Sequence, residues 1–190
     1  MCVCVNLFTC MHIDNSEKVR RAGEPEYRDI ISIANLFQAW SGFRKDKKKK
    51  RDVQLFERHL EDNLFTLNEQ LEGKTYQHAS YTAFNIYDPK FRHIHKATVA
   101  DRIVHHAIVS KIEQMFDKGF IDDSYSCRLN KGTHKAVKRL AVFIRRVSKN
   151  YTGDCYCLKL DIKKFFASVD HNILLHLIKK KLNDADLVWL

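Results

Sequence analysis

No stretch of this 190-residue chain is apolar for long enough to span a bilayer, which excludes an integral membrane helix. No two cysteines stand at C-x-x-C spacing. The six that exist, Cys2, Cys4, Cys10, Cys127, Cys155 and Cys157, match neither a closed zinc site nor the density of a secreted disulfide scaffold. The apolar start, Met-Cys-Val-Cys-Val-Asn-Leu-Phe, lacks the basic n-region and small-residue cleavage site of a secretory leader. A reducing cytoplasm is therefore the expected setting. Cys2, Cys4, Cys10 and His12 add up to four possible zinc ligands, but their spacing fits no closed structural site, and the segment reads as a strand-like or frayed terminus.

What the chain has in excess is positive charge. Its 33 Lys and Arg against 23 Asp and Glu leave a formal net charge of +10, which points to a polyanionic partner and, with no membrane span, to nucleic acid. With 45% hydrophobic residues the chain can fold as one globular domain or two small lobes. Its densest basic run, Arg44-Lys-Asp-Lys-Lys-Lys-Lys-Arg51, has no aromatic interleaving. Such a run is either a solvated loop or a segment that grips phosphates without reading bases.

Periodicity supplies the elements. Ile30, Ile33, Ala34, Phe37 and Trp40 form a helical stripe from Glu26 to about Gly42. Val53, Phe56, Leu60, Leu64, Leu67 and Leu71 form a second, with Asp52 as its cap and Gly73 at its end. The runs Tyr81–Tyr87 and Phe91–Ala97 flank Asp88-Pro89-Lys90 and predict a β-hairpin. A tip carrying Lys90 and Arg92 suits triphosphate oxygens, since arginine offers a bidentate fork and lysine a point charge. His93 and His95 read as structural side chains. A helix follows, capped by Asp101 and lined by Val104, Ala107, Ile108, Ile112 and Met115. After a loop capped through Thr133, another helix turns Ala136, Val137, Leu140, Ile144 and Val147 inward and loads its other sides with Lys and Arg.

The chain is organised around residues 156–171. Tyr156, Leu158, Leu160 and Ile162 alternate as on one face of a strand, so Asp161 points the other way, beside Lys159, Lys163 and Lys164. A carboxylate there needs a cation or a metal as partner. A helix capped by Asp170 then carries Ile173, Leu174, Leu177, Ile178 and Leu182.

The string Leu160-Asp-Ile-Lys-Lys-Phe-Phe-Ala-Ser-Val-Asp-His171 resembles the first palm motif of reverse transcriptases, especially those of bacterial retroelements, retrons and group II introns. The segment Ser124-Tyr-Ser-Cys-Arg-Leu-Asn-Lys-Gly-Thr-His-Lys-Ala136 and the pair Asp101-Arg102 resemble further parts of that family, and the resemblance runs from about Ile30 onward. It implies an α+β fold, the fingers and start of the palm of a right-hand polymerase. On that reading, residues 1–25 are an irregular N-terminus and 26–80 a helical region with the basic linker 44–51. Residues 81–150 are then the fingers and 151–190 the start of the palm.

The resemblance also assigns roles. Asp161 is the first metal-binding and catalytic acid, with the Ile162 carbonyl as a further oxygen. Lys90 and Arg92 bind the triphosphate, and Phe166 stands against the sugar to exclude a 2′-hydroxyl, where the bland alternative is a core aromatic. Arg102, Arg128 and Lys131 meet nucleic-acid phosphates. The implied cofactor is a pair of Mg²⁺ ions about 3.5 to 4 Å apart. The implied partners are an RNA template and primer, deoxynucleoside triphosphates and a cognate structured RNA. No Tyr/Phe-x-Asp-Asp, the later palm motif that carries the family's remaining metal-binding aspartates, follows Asp161 in the 190 residues, so the chain alone is expected not to polymerise. The apolar Leu187-Val-Trp-Leu190 is expected to sit exposed, as in a truncated product. The competing reading is a non-catalytic basic RNA-binding remnant, and a lesser rival is a palm polymerase that copies RNA into RNA.

Overall fold

The computed structural model describes residues 25–190; Cys2, Cys4, Cys10 and His12, and with them the zinc question, lie outside these residues. The described chain is helix-rich with one antiparallel hairpin, an α+β arrangement, and divides into two compact units.

The first unit spans residues up to 114 together with 184–190 and holds nearly all the buried apolar side chains. The stripe from Glu26 is two helices, α1 (Tyr27–Ile31) and α2 (Ile33–Arg44). Ser32 breaks them apart: its backbone leaves the helical region and its hydroxyl accepts from the Asn35 amide, so it caps α2. The break resets the phase. Leu36, Ala39, Trp40 and Phe43 are buried, while Ile33 and Phe37 are only half-buried and Ala34 is exposed. Asn35 fills the break, its amide donating to the carbonyls of Ile30 and Ala107.

The second stripe is likewise two helices, α3 (Arg51–Glu57) and α4 (Leu60–Glu72), and Asp52 stands inside the first turn of α3 rather than at its cap. Val53, Leu64, Leu67 and Leu71 are buried as expected. Trp40 packs against Phe43 and Phe56 with ring centroids 6.1 and 5.4 Å apart. The apolar 187–190 segment is covered only in part: it is helix α9 (Ala185–Trp189), capped by Asp184, with Leu187 buried, while the Trp189 ring stands edge-on to Tyr27 and stays exposed. Asp184 also accepts from the Tyr27 amide, and the Tyr27 hydroxyl donates to the Leu71 carbonyl.

The hairpin is β1 (Thr82–Tyr87) and β2 (Phe91–Lys96), joined by residues 88–90 and registered Thr82 to Lys96 through Tyr87 to Phe91. It feeds α5 (Val99–Asp117), whose buried face is Val99, Ile103, Val104 and Ala107. Thr98, not Asp101, is the N-cap of α5. The Asp101 amide donates to the Thr98 hydroxyl oxygen while the Thr98 amide donates to the Asp101 carboxylate, a reciprocal capping box.

The second unit, residues 115–183, carries α6 (Thr133–Val147), the turn α7 (Phe165–Ser168) and α8 (His171–Lys179), the last capped by Asp170 as expected. Three sequence expectations change here. Residues 155–162 form no strand, and Tyr156, Leu158 and Leu160 are exposed. A strand needs a neighbour for its amides and carbonyls, and among the described residues none pairs with it. For the same reason the apolar face of α6 is not buried: Val137, Leu140 and Val147 stand exposed. The cap of α6 is Gly132, not Thr133.

Candidate functional site

The hairpin tip presents its two cations bare. Lys90 and Arg92 are exposed, and neither makes a hydrogen bond or ion pair among the described residues. Register places Arg92 opposite Ile86, on the face shared by Phe84 and Ile94, while His93 and His95 take the other face with Asn85. His93 bonds the Asn85 side chain at 2.6 Å and stacks edge-on with His95, a structural use of both rings.

At the foot of the hairpin, Asp101 is almost fully buried and accepts from the Tyr76 hydroxyl, the Thr98 hydroxyl and the Ala79 amide, with a His78 ring nitrogen 3.9 Å away. Burial pushes its carboxyl up, and the Thr98 and Tyr76 hydroxyls outweigh that, holding it below the usual carboxylate range. The same burial and the adjacent carboxylate raise the Tyr76 phenol far above its ordinary value. Arg102, next in sequence, donates to Asp52 at 2.6 Å and lies over the Phe43 ring. Lys96 reaches the same Asp52 oxygen at 2.8 Å. Burial raises the Asp52 carboxyl, and these two cations more than offset it.

In the second unit, Arg128 is a brace. Its guanidinium grips Asp117 through two nitrogens and donates to the carbonyls of Ile121 and Ser124. Lys131 bonds the backbone and side chain of Asp122, and Arg139 pairs with Asp123. Each of these pairings lowers the acid involved. Sequence reading found the cations and missed their acids. Arg128 and Asp117 are eleven positions apart across a loop, a spacing that no local pattern signals.

Asp161 is exposed, and no lysine holds it: among the described residues it has no hydrogen bond or ion pair, so the salt-bridge alternative is not formed. The Ile162 side chain lines a shallow groove of about 290 Å³ with Phe165, Val169, Ile173 and Leu174. Phe166 is 87% exposed, touching only the edge of the Phe165 ring among aromatic neighbours, and so is not a core aromatic.

A family model described as reverse transcriptase (RNA-dependent DNA polymerase) matches residues 86–184. The chain belongs to the reverse transcriptase family. The matched span opens within β1 and takes in the hairpin tip, α5, the Arg128 loop, α6 and the Asp161 segment. No curated protein matches this reverse transcriptase chain. No helix among the described residues is long and apolar enough to cross a membrane.

The reverse transcriptase family implies magnesium. Octahedral Mg²⁺ wants several hard oxygens, and a pair of ions wants several carboxylates. Among the described residues no three His, Cys, Asp or Glu side chains gather into such a group. Asp161 offers one carboxylate and the Ile162 backbone one carbonyl. These residues alone do not fit a magnesium pair.

Proposed function

We propose that this chain forms the fingers and the opening of the palm of an RNA-directed DNA polymerase of the bacterial retroelement type. In this reading Lys90 and Arg92 hold the triphosphate of an incoming deoxynucleotide, and Asp161 is the first of the acids that bind metal. Phe166 screens the sugar for a 2′-hydroxyl. Arg102, Arg128 and Lys131 shape the nucleic-acid path, and their present pairing with Asp52, Asp117 and Asp122 means that they contact phosphates only by sharing or exchanging those acids.

The observation that carries the reading is the state of Asp161. It lies inside the family match, exposed beside three lysines, yet paired with none and serving no cap or core. An acid with no structural duty in the middle of a family motif is a candidate for function.

The test is equilibrium binding of a deoxynucleoside triphosphate to the purified 190-residue protein, with Mg²⁺ and with chelator. Binding should weaken about tenfold in R92Q, the loss of one charge-assisted bidentate contact. The gain in affinity on adding Mg²⁺ should shrink in D161N. Binding indifferent to both changes overturns the assignment. One carboxylate cannot organise two divalent ions, so the protein alone should make no cDNA; cDNA synthesis that D161N abolishes would refute that part while keeping the polymerase. The second reading, a non-catalytic RNA-binding protein, is favoured by the single acid at the site. It predicts RNA binding with no affinity for triphosphates.

A further inference from the structure

The connection between α2 and α3 is an ordered turn, not a solvated tether. Asp46 takes a left-handed conformation at φ 62°, and the Lys47 and Lys50 amides donate back to the carbonyls of Arg44 and Lys47. Two of its cations fix the turn itself: Arg44 pairs with Glu57, while Lys47 donates to the Phe43 carbonyl and lies over the Phe43 ring. Gln54 secures the far side by donating to the Lys48 carbonyl.

That leaves Lys45, Lys48, Lys49, Lys50 and Arg51 exposed, with no side-chain hydrogen bond or ion pair among the described residues. The acids that could neutralise them are committed elsewhere. Glu57 is held by Arg44, and Asp52 by Lys96 and Arg102, so Asp46 alone remains within the run. Five uncompensated cations held on a fixed turn repel one another, and a polyanion relieves that repulsion without having to order the loop.

We infer that this turn is a docking surface for the phosphate backbone of double-helical nucleic acid. The class of partner follows from what the turn carries and what it lacks. Single-strand binding surfaces stack bases on aromatic rings between their cations, and no aromatic residue stands between Arg44 and Arg51. A surface of lysines alone contacts phosphates and reads no sequence. The inference rests on the proposed function only for the choice of nucleic acid as the polyanion.

The test is fluorescence anisotropy with a 16-base-pair RNA hairpin, a DNA duplex, single-stranded oligouridine and anionic phospholipid vesicles. It is run in chelator without nucleotide, so that triphosphate binding and metal chemistry play no part. K48Q/K49Q/K50Q/R51Q in the full 190-residue chain should weaken duplex binding at least tenfold at 0.1 M salt. It should also reduce the slope of log affinity against log salt by about 3.6, near 0.9 for each of the four lost phosphate contacts. K135Q/K138Q/R145Q/R146Q removes equal charge from α6 and should leave most of the slope. Equal losses in the two variants would make the effect one of net charge and overturn the docking surface. So would an unchanged slope in the first variant, or tighter binding to vesicles or oligouridine than to duplexes. Thermal unfolding of each variant by circular dichroism establishes that it is folded before its affinity is compared.

Discussion

The Arg102 guanidinium meets the Asp52 carboxylate at 2.6 Å, tying the first turn of α5 to the first turn of α3 across fifty residues of sequence. Lys96, at the end of β2, reaches the same oxygen, so one acid joins the hairpin to two helices. Its carboxyl is held below the ordinary value, so this contribution is complete above about pH 4 and fades as pH falls through the lowered folded value. D52N should therefore cost about 1 kcal/mol at pH 7, where the one-third exposure of the side chain keeps the pair weak, and progressively less as pH falls below about 4. Chemical denaturation of both proteins across that range checks it; a difference that grows in acid would refute the linkage.

Asp101 is the stiffer joint. It is nearly fully buried and accepts bonds from three donors while completing the capping box with Thr98. D101N keeps the shape and loses the charge that all of these donors face, for which about 2 to 3 kcal/mol is expected at pH 7. Because the folded carboxyl is lowered, that loss too should shrink below about pH 4. Y76F, which removes one donor and leaves the acid otherwise satisfied, should cost about 1 kcal/mol. An equal cost for both variants would mean that the Tyr76 bond alone, and neither the cap nor the other donors, carries the stability.

The contrast between these joints and the sequence reading is physical. The hairpin, the α4 face of Leu64, Leu67 and Leu71, and the Asp170 cap were legible because they depend on neighbours within a few positions. The break at Ser32 was not, since a serine inside an unbroken apolar stripe is also compatible with a continuous helix, and only the Asn35 bonds to Ile30 and Ala107 decide it. Asp101 read as a cap although Thr98, three residues earlier, holds that position, because either residue can cap and the pattern of the box is reciprocal. The strand at 156–162 failed for the opposite reason: its alternation is plain, but a strand is a property of two segments, and the described residues supply one. At the candidate site the cations were legible by type. Their pairing with Asp117, Asp122 and Asp123 is a product of the folded loop.

Gly132 sets the start of α6 with φ 101° and ψ 175°, a region that side chains with a Cβ rarely enter, while its amide bonds the Tyr125 carbonyl. There is open space around it, so the cost of G132A is backbone strain and not a clash. About 1 to 3 kcal/mol is expected, localised to the loop that holds Arg128 and Lys131. Amide hydrogen exchange should quicken across residues 122–136 and stay unchanged in α4. Uniform quickening through both units would show that the glycine matters to the whole chain and not to this loop.

Phe166 separates a structural from a functional aromatic by thermodynamics alone. A core phenylalanine truncated to alanine costs about 3 to 5 kcal/mol. Phe166 is 87% exposed, so F166A should change the stability of this protein by less than about 0.5 kcal/mol. Its effect should appear instead in substrate choice. In a polymerising protein that contains this segment, F166A should raise incorporation of ribonucleotides relative to deoxynucleotides about tenfold or more, as expected when a steric block against a single hydroxyl is removed. Unchanged stability together with unchanged sugar discrimination would remove the gate assignment. A large loss of stability would return the ring to the core, and with it the ordinary reading of the residues around Asp161.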